Sequence, residues 1–175
     1  MNLYKNAVEK NKKLIEDAFE YIWKNPETGF KEWKTHEYLK NRFTSLGYNL
    51  TEAGNIPGFC AEFDTGKSGP TILVFAEMDA LNVPTHPEAD PKTGAVHSCG
   101  HCVQTAAVLG VAAAIKEPGV TEGLCGKVRF VIVPAEECIE IDFRCDLVKK
   151  GIIKYTSGKA EFLHRGLLDG GDLAF

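Results

Sequence analysis

Two short motifs in the chain combine side chains that bind metal ions and transfer protons. Residues 97–102 read His-Ser-Cys-Gly-His-Cys, and residues 134–137 read Pro-Ala-Glu-Glu. A thiolate, an imidazole and a carboxylate can bind one divalent transition metal, and a second carboxylate beside them can take a proton from an attacking water molecule. Metal-assisted hydrolysis is therefore the leading hypothesis.

The first motif also has a different interpretation. Cys99 and Cys102 form a Cys-x-x-Cys pair at the start of a predicted helix, where a helix N-terminus would lower a thiol pKa. The runner-up hypothesis is therefore a thioredoxin-like dithiol oxidoreductase, although it leaves Glu136 and Glu137 unexplained. A third hypothesis is a metal-binding fragment without catalytic activity.

The overall composition limits the classes of protein that the chain can represent. It has 175 residues, of which 44% are hydrophobic and 25% charged, as is usual for one globular domain. The net charge of −4 comes without a basic block, so we expect no nucleic-acid partner. The sequence contains no secretion signal and no apolar run that could span a bilayer, so we expect no membrane partner and a cytoplasmic location. The six cysteines are then expected to be reduced thiols or metal ligands.

The hydrophobic pattern alternates between helical and strand periods. Helices are predicted near residues 3–24, 35–46, 101–116, 142–150 and 158–165, and strands near 48–52, 58–64, 70–77 and 127–133. This order is typical of a layered α/β domain with helices packed against a mixed sheet. Both motifs follow predicted strands, which is where ligands bind in open α/β sheets.

Spacing predicts how these side chains point. In an extended segment Cys99 and His101 would face the same way, so both could reach one ion. Glu136 and Glu137 would point in opposite directions in a strand. We therefore expect the strand to bend there, so that one carboxylate faces the metal and the other faces water or substrate.

Other polar residues have expected roles of a less direct kind. Asp79, just after a strand, is expected either to form a turn or to accept the N–H of a ligand imidazole, which would fix the imidazole's orientation. His97 is expected to make a structural hydrogen bond, with a further polar group lining the site as the alternative. His36, His86 and His164 have no companion ligand nearby in the sequence and are expected at the surface.

Four motifs together resemble those of a known enzyme family. Residues 25–30 (Asn-Pro-Glu-Thr-Gly-Phe) are similar to its His-Pro-Glu-Leu-Gly-Phe, and residues 77–81 (Glu-Met-Asp-Ala-Leu) to its Asp-Met-Asp-Ala-Leu. Residues 97–101 and 134–137 resemble its His-Ala-Cys-Gly-His and Pro-Ala-Glu-Glu. The family is the aminoacylase and hippurate-hydrolase group of dinuclear metallopeptidases, which includes auxin-conjugate amidohydrolases and aminobenzoyl-glutamate hydrolases.

The resemblance implies specific roles for the motif residues. By it, Cys99, His101 and Glu137 are metal ligands, Glu136 is the general base, and Asp79 supports the site from behind. It implies a three-layer zinc-peptidase-like α/β fold with a mixed sheet flanked by helices. It further implies hydrolysis of the amide bond of N-acyl or N-aminoacyl amino acids, including dipeptides. The family uses two divalent metal ions, such as zinc, manganese, cobalt or nickel, and its full-length members form homodimers.

The chain also departs from the family pattern. Cys102 stands where the family usually has Asp or Asn, Gln104 where it often has another His, and residues 138–142 replace a glycine run. Family members are considerably longer, with an inserted dimerisation domain and further histidine ligands. We therefore expect residues 1–175 to be a truncated part of a metallopeptidase catalytic domain. On its own, this part is expected to bind one metal ion or none and to be inactive.

Overall fold

The computed structural model describes residues 2–175 and begins with three helices, which are followed by five strands and then by a mixture of helices and strands. The helices are α1 (Leu3–Lys10), α2 (Lys12–Lys24), α3 (Trp33–Ser45), α4 (His101–Ala114), α5 (Ile141–Lys149) and α6 (Gly158–His164). The strands are β1 (Leu50–Glu52), β2 (Phe59–Asp64), β3 (Thr71–Glu77), β4 (Leu81–Asn82), β5 (Ala95–Val96), β6 (Lys127–Val133) and β7 (Leu173–Ala174). Within this range, each helix is too short or too polar to cross a lipid bilayer.

Five of the strands form one mixed sheet, in the order β1-β2-β6-β3-β7. Strand β2 runs antiparallel to both β1 and β6, whereas β3 is parallel to its two neighbours, β6 and β7. Strands β4 and β5 pair separately as a short antiparallel ladder. The mixed sheet predicted from the sequence is therefore confirmed.

The sheet is covered on both faces, and β6 shows why. Successive side chains of a strand point to opposite faces. Phe130 and Ile132 accordingly pack in a core with α2, α3 and α4, whereas Val131 and Val133 pack in a second core with α6 and residues near α5. All four side chains are fully buried, and each contributes about 1.5–3 kcal/mol through removal from water. The result is the expected α/β arrangement of three layers.

Three elements differ from the sequence prediction. The predicted first helix is divided at Asn11, whose backbone (φ −99°, ψ 8°) leaves the helical range and whose side-chain amide donates to the carbonyl of Ala7 at 2.9 Å. The predicted loop between β3 and α4 contains the β4–β5 pair. Strand β7 was not predicted and pairs with β3 at the edge of the sheet.

The prediction that His36 lies at the surface is wrong. Its side chain on α3 is 1% exposed and packs edge-on against Phe59. The backbone N–H of Gly58 donates to His36 Nδ1 at 2.9 Å, and Gly58 has a φ of 110° that disfavours other residues. Burial lowers the pKa of His36. A neutral imidazole with an internal partner is stable in a core, and the sequence gives no sign of that partner.

Candidate metal centre

The candidate site lies where β3 and β6 end. These strands are parallel neighbours, with Glu77 opposite Val133, and the N–H of Met78 donates to the carbonyl of Val133 at 3.0 Å. Their carboxyl ends therefore meet at one edge of the sheet, where sites in α/β proteins form. Residues that follow the two strands, Asp79 and Glu136 among them, are brought together although they are far apart in sequence.

His101, the first residue of α4, occupies the centre of the site. Its Nδ1 donates to the backbone carbonyl of Asp79 at 2.9 Å. The other ring nitrogen, Nε2, faces three carboxylates: it is 3.1 Å from Glu77 Oε2, 3.7 Å from Glu136 Oε2 and 4.0 Å from Glu137 Oε1. A histidine fixed in this way through Nδ1 presents Nε2 as a ligand.

A tight turn, rather than an extended segment, places Cys99 beside His101. Between them Gly100 has a φ of 96°, a left-handed conformation that glycine adopts without strain, and α4 begins at the next residue. The expectation of an extended segment at this motif is therefore wrong. The turn nevertheless puts the Cys99 thiol 3.7 Å from the carbonyl of Asp79, the group that also holds His101.

The bend expected after β6 is centred on Ala135. Its φ of 55° is unusual for a residue with a side chain, and two contacts hold it there. Its N–H donates to Glu32 Oε1 at 2.8 Å, and its carbonyl accepts from the N–H of Gly158 at 3.1 Å. Because the chain turns here, Glu136 and Glu137 can both face the His101 ring.

Asp79 lies behind the candidate site and contacts His101 through its backbone rather than mainly through its carboxylate. Its side chain is fully buried, and Oδ2 accepts the backbone N–H of Glu137 at 2.9 Å. The carboxylate Oδ1 lies 3.4 Å from His101 Nδ1, farther than the backbone carbonyl of the same residue. One residue thus orients both the imidazole and the segment that carries the glutamates.

Three charged residues at the site were not identified from the sequence. Glu77 has its side chain 10% exposed and contacts His101; its position at a strand end, inside the motif of residues 77–81, was a usable signal. Lys159 forms an ion pair with Glu77 and lies 3.8 Å from Glu136 Oε1. Glu32 is fully buried behind Ala135. Lys159 and Glu32 lie outside the four motifs, so the sequence carried no signal for either of them.

The charges around His101 shift its pKa and that of Glu77 in opposite directions. Burial opposes a charged ring, but the contacts with Asp79, Cys99 and Glu77 outweigh it and raise the pKa of His101. The hydrogen bond from His101, aided by Lys159, lowers the pKa of Glu77 to about 2. These shifts favour a charged His101 ring beside an ionised Glu77.

The two buried carboxyl groups behind the site also differ. Burial raises the pKa of Glu32 well above its usual range, and the nearby charge of Asp79 adds to this effect. Burial acts in the same direction on Asp79, but hydrogen bonds from His101 and from the backbone of Glu137 and Glu136 outweigh it and lower the pKa of Asp79. Two adjacent buried acids with opposite shifts favour one neutral and one ionised group.

His97 and Cys102 are both buried next to the site residues of their motif. His97 is buried, and neither ring nitrogen has a hydrogen-bond partner among residues 2–175, so the expected structural hydrogen bond is not formed. Burial lowers the pKa of His97 to about 4. Burial also raises the pKa of Cys102, which is fully enclosed. In the dithiol hypothesis Cys99, just before α4, would be the attacking thiol and Cys102 its enclosed partner.

The chemistry of the central residues suits a transition-metal ion. A thiol sulfur, an imidazole nitrogen and a carboxylate oxygen from Cys99, His101 and Glu137 all lie within 4.8 Å of one another. These donors match the ligands that zinc and neighbouring divalent metals accept, and His101 Nδ1 already has the outer partner that metal-binding histidines need. The residues therefore fit the metal that the resemblance implies.

Comparison with known proteins supports the same conclusion. Residues 73–163 match the family model for peptidase family M20/M25/M40. The chain is 34% identical over 140 residues to a p-aminobenzoyl-glutamate hydrolase polypeptide from Escherichia coli (strain K12), covering 75% of this chain and 29% of that protein. It is 32% identical over 120 residues to N-acetyl-L-cysteine deacetylase from Bacillus subtilis (strain 168), covering 67% of this chain and 28% of that protein.

A solved structure shares the fold along nearly the whole chain. The YXEP protein of Bacillus subtilis, a dinuclear metal binding peptidase from the M20 family, superimposes with a TM-score of 0.73 at 23% identity, covering 98% of this chain and 42% of that one. The chain thus spans less than a third of the length of the two sequence relatives. The resemblance inferred from the four motifs is confirmed, and the chain belongs to peptidase family M20/M25/M40.

Proposed function

We propose that this chain takes part in metal-dependent hydrolysis of the amide bond of N-acyl or N-aminoacyl amino acids. One observation carries the proposal: Cys99, His101 and Glu137 converge at the strand edge, with Glu136 beside them. The names of the relatives support the substrate class, since one is a hydrolase of p-aminobenzoyl-glutamate and another a deacetylase of N-acetyl-L-cysteine. Both names describe cleavage of an amide on a small amino-acid derivative.

The proposed metal ligands are Cys99, His101 and Glu137. Zinc, manganese, cobalt or nickel would suit this set of donors. When bound, such an ion polarises the substrate carbonyl and makes water a stronger acid. Asp79 holds His101 through its backbone carbonyl and Glu137 through its carboxylate, so loss of its side chain would disorder the ligands.

Glu136 is the proposed general base. Its side chain is 37% exposed, more than that of Glu137 at 23%, so it can reach both water and substrate. In the proposed step Glu136 takes a proton from the attacking water and delivers it to the nitrogen of the leaving amine. Asp79 acts in this step by positioning, because it holds the backbone N–H of Glu137, the residue next to the base.

The coverage of relatives suggests how the site is completed. Because the chain spans 29% of one relative and 28% of another, we propose that residues 1–175 form part of a larger catalytic domain. A second metal ion, a homodimeric assembly and efficient turnover would then depend on the larger protein, and residues 2–175 alone would show little amidase activity. We also propose a cytoplasmic location, where the six free thiols would remain reduced.

Two variants test the division of roles. Glu136→Gln removes the base without removing a ligand, so metal content should stay nearly constant while turnover of N-acetyl amino acids falls by about 10²–10⁴-fold. Cys99→Ser replaces a thiolate by a weak neutral ligand. Loss of a residue that only hydrogen-bonds a metal ligand lowers metal affinity by roughly 10–100-fold. Loss of the ligand itself should lower the affinity by at least that much, and turnover should fall with it.

Cys138→Ser provides a control for loss of a thiol, because Cys138 is an exposed free cysteine that follows the Pro-Ala-Glu-Glu motif. Metal content is measured by elemental analysis of residues 1–175, and turnover in the longest natural protein that contains them. Equal metal loss in Glu136→Gln and Cys99→Ser would refute the assigned roles. Chelator-resistant turnover would refute metal dependence itself.

A further inference from the structure

A second group of possible metal ligands shares His101 with the first. Oxygen atoms of Glu77 and Glu136 and a ring nitrogen of His101 lie within 4.8 Å of one another. Since Nδ1 of the ring donates to the carbonyl of Asp79, only Nε2 can bind an ion. The two groups therefore compete for one nitrogen, and some feature of the chain must decide between them.

The contacts of Glu77 indicate what that feature is. Its Oε1 is paired with the ammonium of Lys159, and its Oε2 accepts a hydrogen bond from Gln104 Nε2 at 3.1 Å in addition to the contact with His101. Gln104 also accepts the backbone N–H of Glu77 at 2.9 Å, which fixes the amide in place. Both oxygens of Glu77 are thus occupied by groups of the protein.

Lys159 reaches both carboxylates of this second group. Besides its pair with Glu77, its ammonium lies 3.8 Å from Glu136 Oε1. Its position is set by the backbone before it: the N–H of Gly158 donates to the carbonyl of Ala135 at 3.1 Å, and a side chain at Gly158 would overlap the carbonyl oxygen of Pro134. The start of α6 is therefore packed directly on the bend that carries Glu136.

We propose that Lys159 is a positioning residue whose ammonium occupies the place of a metal ion between Glu77 and Glu136. A divalent ion is thereby directed to Cys99, His101 and Glu137. An ammonium and a divalent cation repel strongly at a separation of a few ångströms inside a protein. Gln104 reinforces the effect by occupying the other oxygen of Glu77. This proposal rests on the proposed function in one respect: it takes Cys99, His101 and Glu137 as the site where the ion binds.

Cobalt(II) titration of the 175-residue chain tests this assignment without measuring activity. Thiolate-to-cobalt charge-transfer absorption reports binding at Cys99, and the total cobalt bound reports stoichiometry. The wild type should bind one equivalent with thiolate absorption. Lys159→Met should still bind one equivalent, because both groups need His101 Nε2, but the ion would divide between the two groups and the thiolate absorption per bound cobalt should fall to about half or less.

Two further variants separate the charge of Lys159 from its packing. Lys159→Arg keeps a cation and should bind cobalt like the wild type. Lys150→Met removes an exposed lysine after α5 and should also leave the titration unchanged. The Lys159 side chain is 42% exposed, so its loss should leave the fold intact, as circular dichroism will check, and Lys159→Gln provides a second neutral replacement.

The outcomes distinguish this proposal from the proposed function. Wild-type thiolate absorption per bound cobalt in both neutral variants would overturn the role of Lys159, while the site at Cys99 would stand. A fall in this absorption in Lys159→Met and Lys159→Gln, but not in Lys159→Arg, would support it. If the wild type bound cobalt without thiolate absorption, the site at Cys99 would be refuted, while tighter cobalt binding in the two neutral variants would still measure the effect of Lys159.

Discussion

Glu32 offers a sharp test of how the bend at Ala135 is held. Its side chain is fully buried, and Oε1 accepts the N–H of Ala135 at 2.8 Å. Its other oxygen has no hydrogen-bond partner among residues 2–175. Burial and the charge of Asp79 raise the pKa of Glu32 well above its usual range. Two substitutions separate the hydrogen bond from the charge: Glu32→Gln keeps an acceptor oxygen, whereas Glu32→Ala removes it.

The expected pH dependence follows from the direction of the shift. A group with a raised pKa binds its proton more tightly in the folded state, so its contribution to stability is complete below the unfolded value of 4.5. That contribution is lost as the pH rises through the folded value, at about 1.4 kcal/mol for each unit of difference. Glu32→Gln cannot ionise, so this decline should disappear from its stability profile.

The cost of Glu32→Ala follows from two losses. The N–H of Ala135 would be left buried without a partner, which costs about 1–3 kcal/mol. Loss of the one buried methylene group that alanine lacks, Cγ, adds about 0.8 kcal/mol. The free energy of unfolding should therefore fall by about 2–4 kcal/mol. Because the same bend carries Glu136 and Glu137, metal affinity should fall as well.

Urea unfolding followed by circular dichroism, repeated from about pH 5 to pH 9, measures both effects. Glu16→Gln is the control, because Glu16 lies on α2 with its side chain 54% exposed and should change stability by less than about 0.5 kcal/mol. A pH profile of Glu32→Gln that parallels the wild type would refute the raised pKa. A loss below about 1 kcal/mol in Glu32→Ala would refute the role of the hydrogen bond.

Two further predictions concern the fold, and urea unfolding checks both. Phe130→Ala should cost about 3–5 kcal/mol because the ring is fully buried, whereas Phe175→Ala, with the ring 76% exposed, should stay within about 0.5 kcal/mol. Equal effects would contradict the assigned core. Gly58→Ala should cost more than about 2 kcal/mol, because the φ of Gly58 is 110° and a Cβ there would lie 2.6 Å from the carbonyl oxygen of Ile132. Gly66→Ala is the control: its φ is 72°, but no atom lies near the added Cβ, so it should cost only about 1–2 kcal/mol.

The sequence predicted elements best where the hydrophobic pattern was continuous. Strand β6 has the bounds expected from its apolar run, Lys127–Val133. The break at Asn11 was missed because a polar residue there leaves the apolar face of the helical pattern intact. Strand β7 was missed because it is two residues long and depends on pairing with β3; beyond it, the carbonyl of Phe175 accepts the N–H of Phe75 at 2.8 Å. No local pattern encodes a contact of that kind.

The same distinction applies to the site. Cys99, His101 and the paired glutamates could be found because each motif contains several ligand-type residues within a few positions. Glu32 and Lys159 could not, because an isolated charge in a polar segment usually faces solvent. Their partners, Ala135 and Glu77, are distant in sequence, and only the packed sheet brings them close.

Glu32 and Asp79, the two buried acids behind the site, both hold the backbone segment that carries Glu136. Glu32 accepts the N–H of Ala135 and Asp79 accepts the N–H of Glu137, so the residues on either side of Glu136 are both held. The Glu136 side chain, 37% exposed, can then move while its backbone is fixed. Two adjacent buried carboxylates that were both charged would repel each other at a high cost in free energy. The raised pKa of Glu32 avoids this cost, because Glu32 keeps its proton to higher pH while Asp79 stays ionised beside His101. Protonation of Glu32 therefore removes a repulsion that would otherwise oppose the buried charge of Asp79.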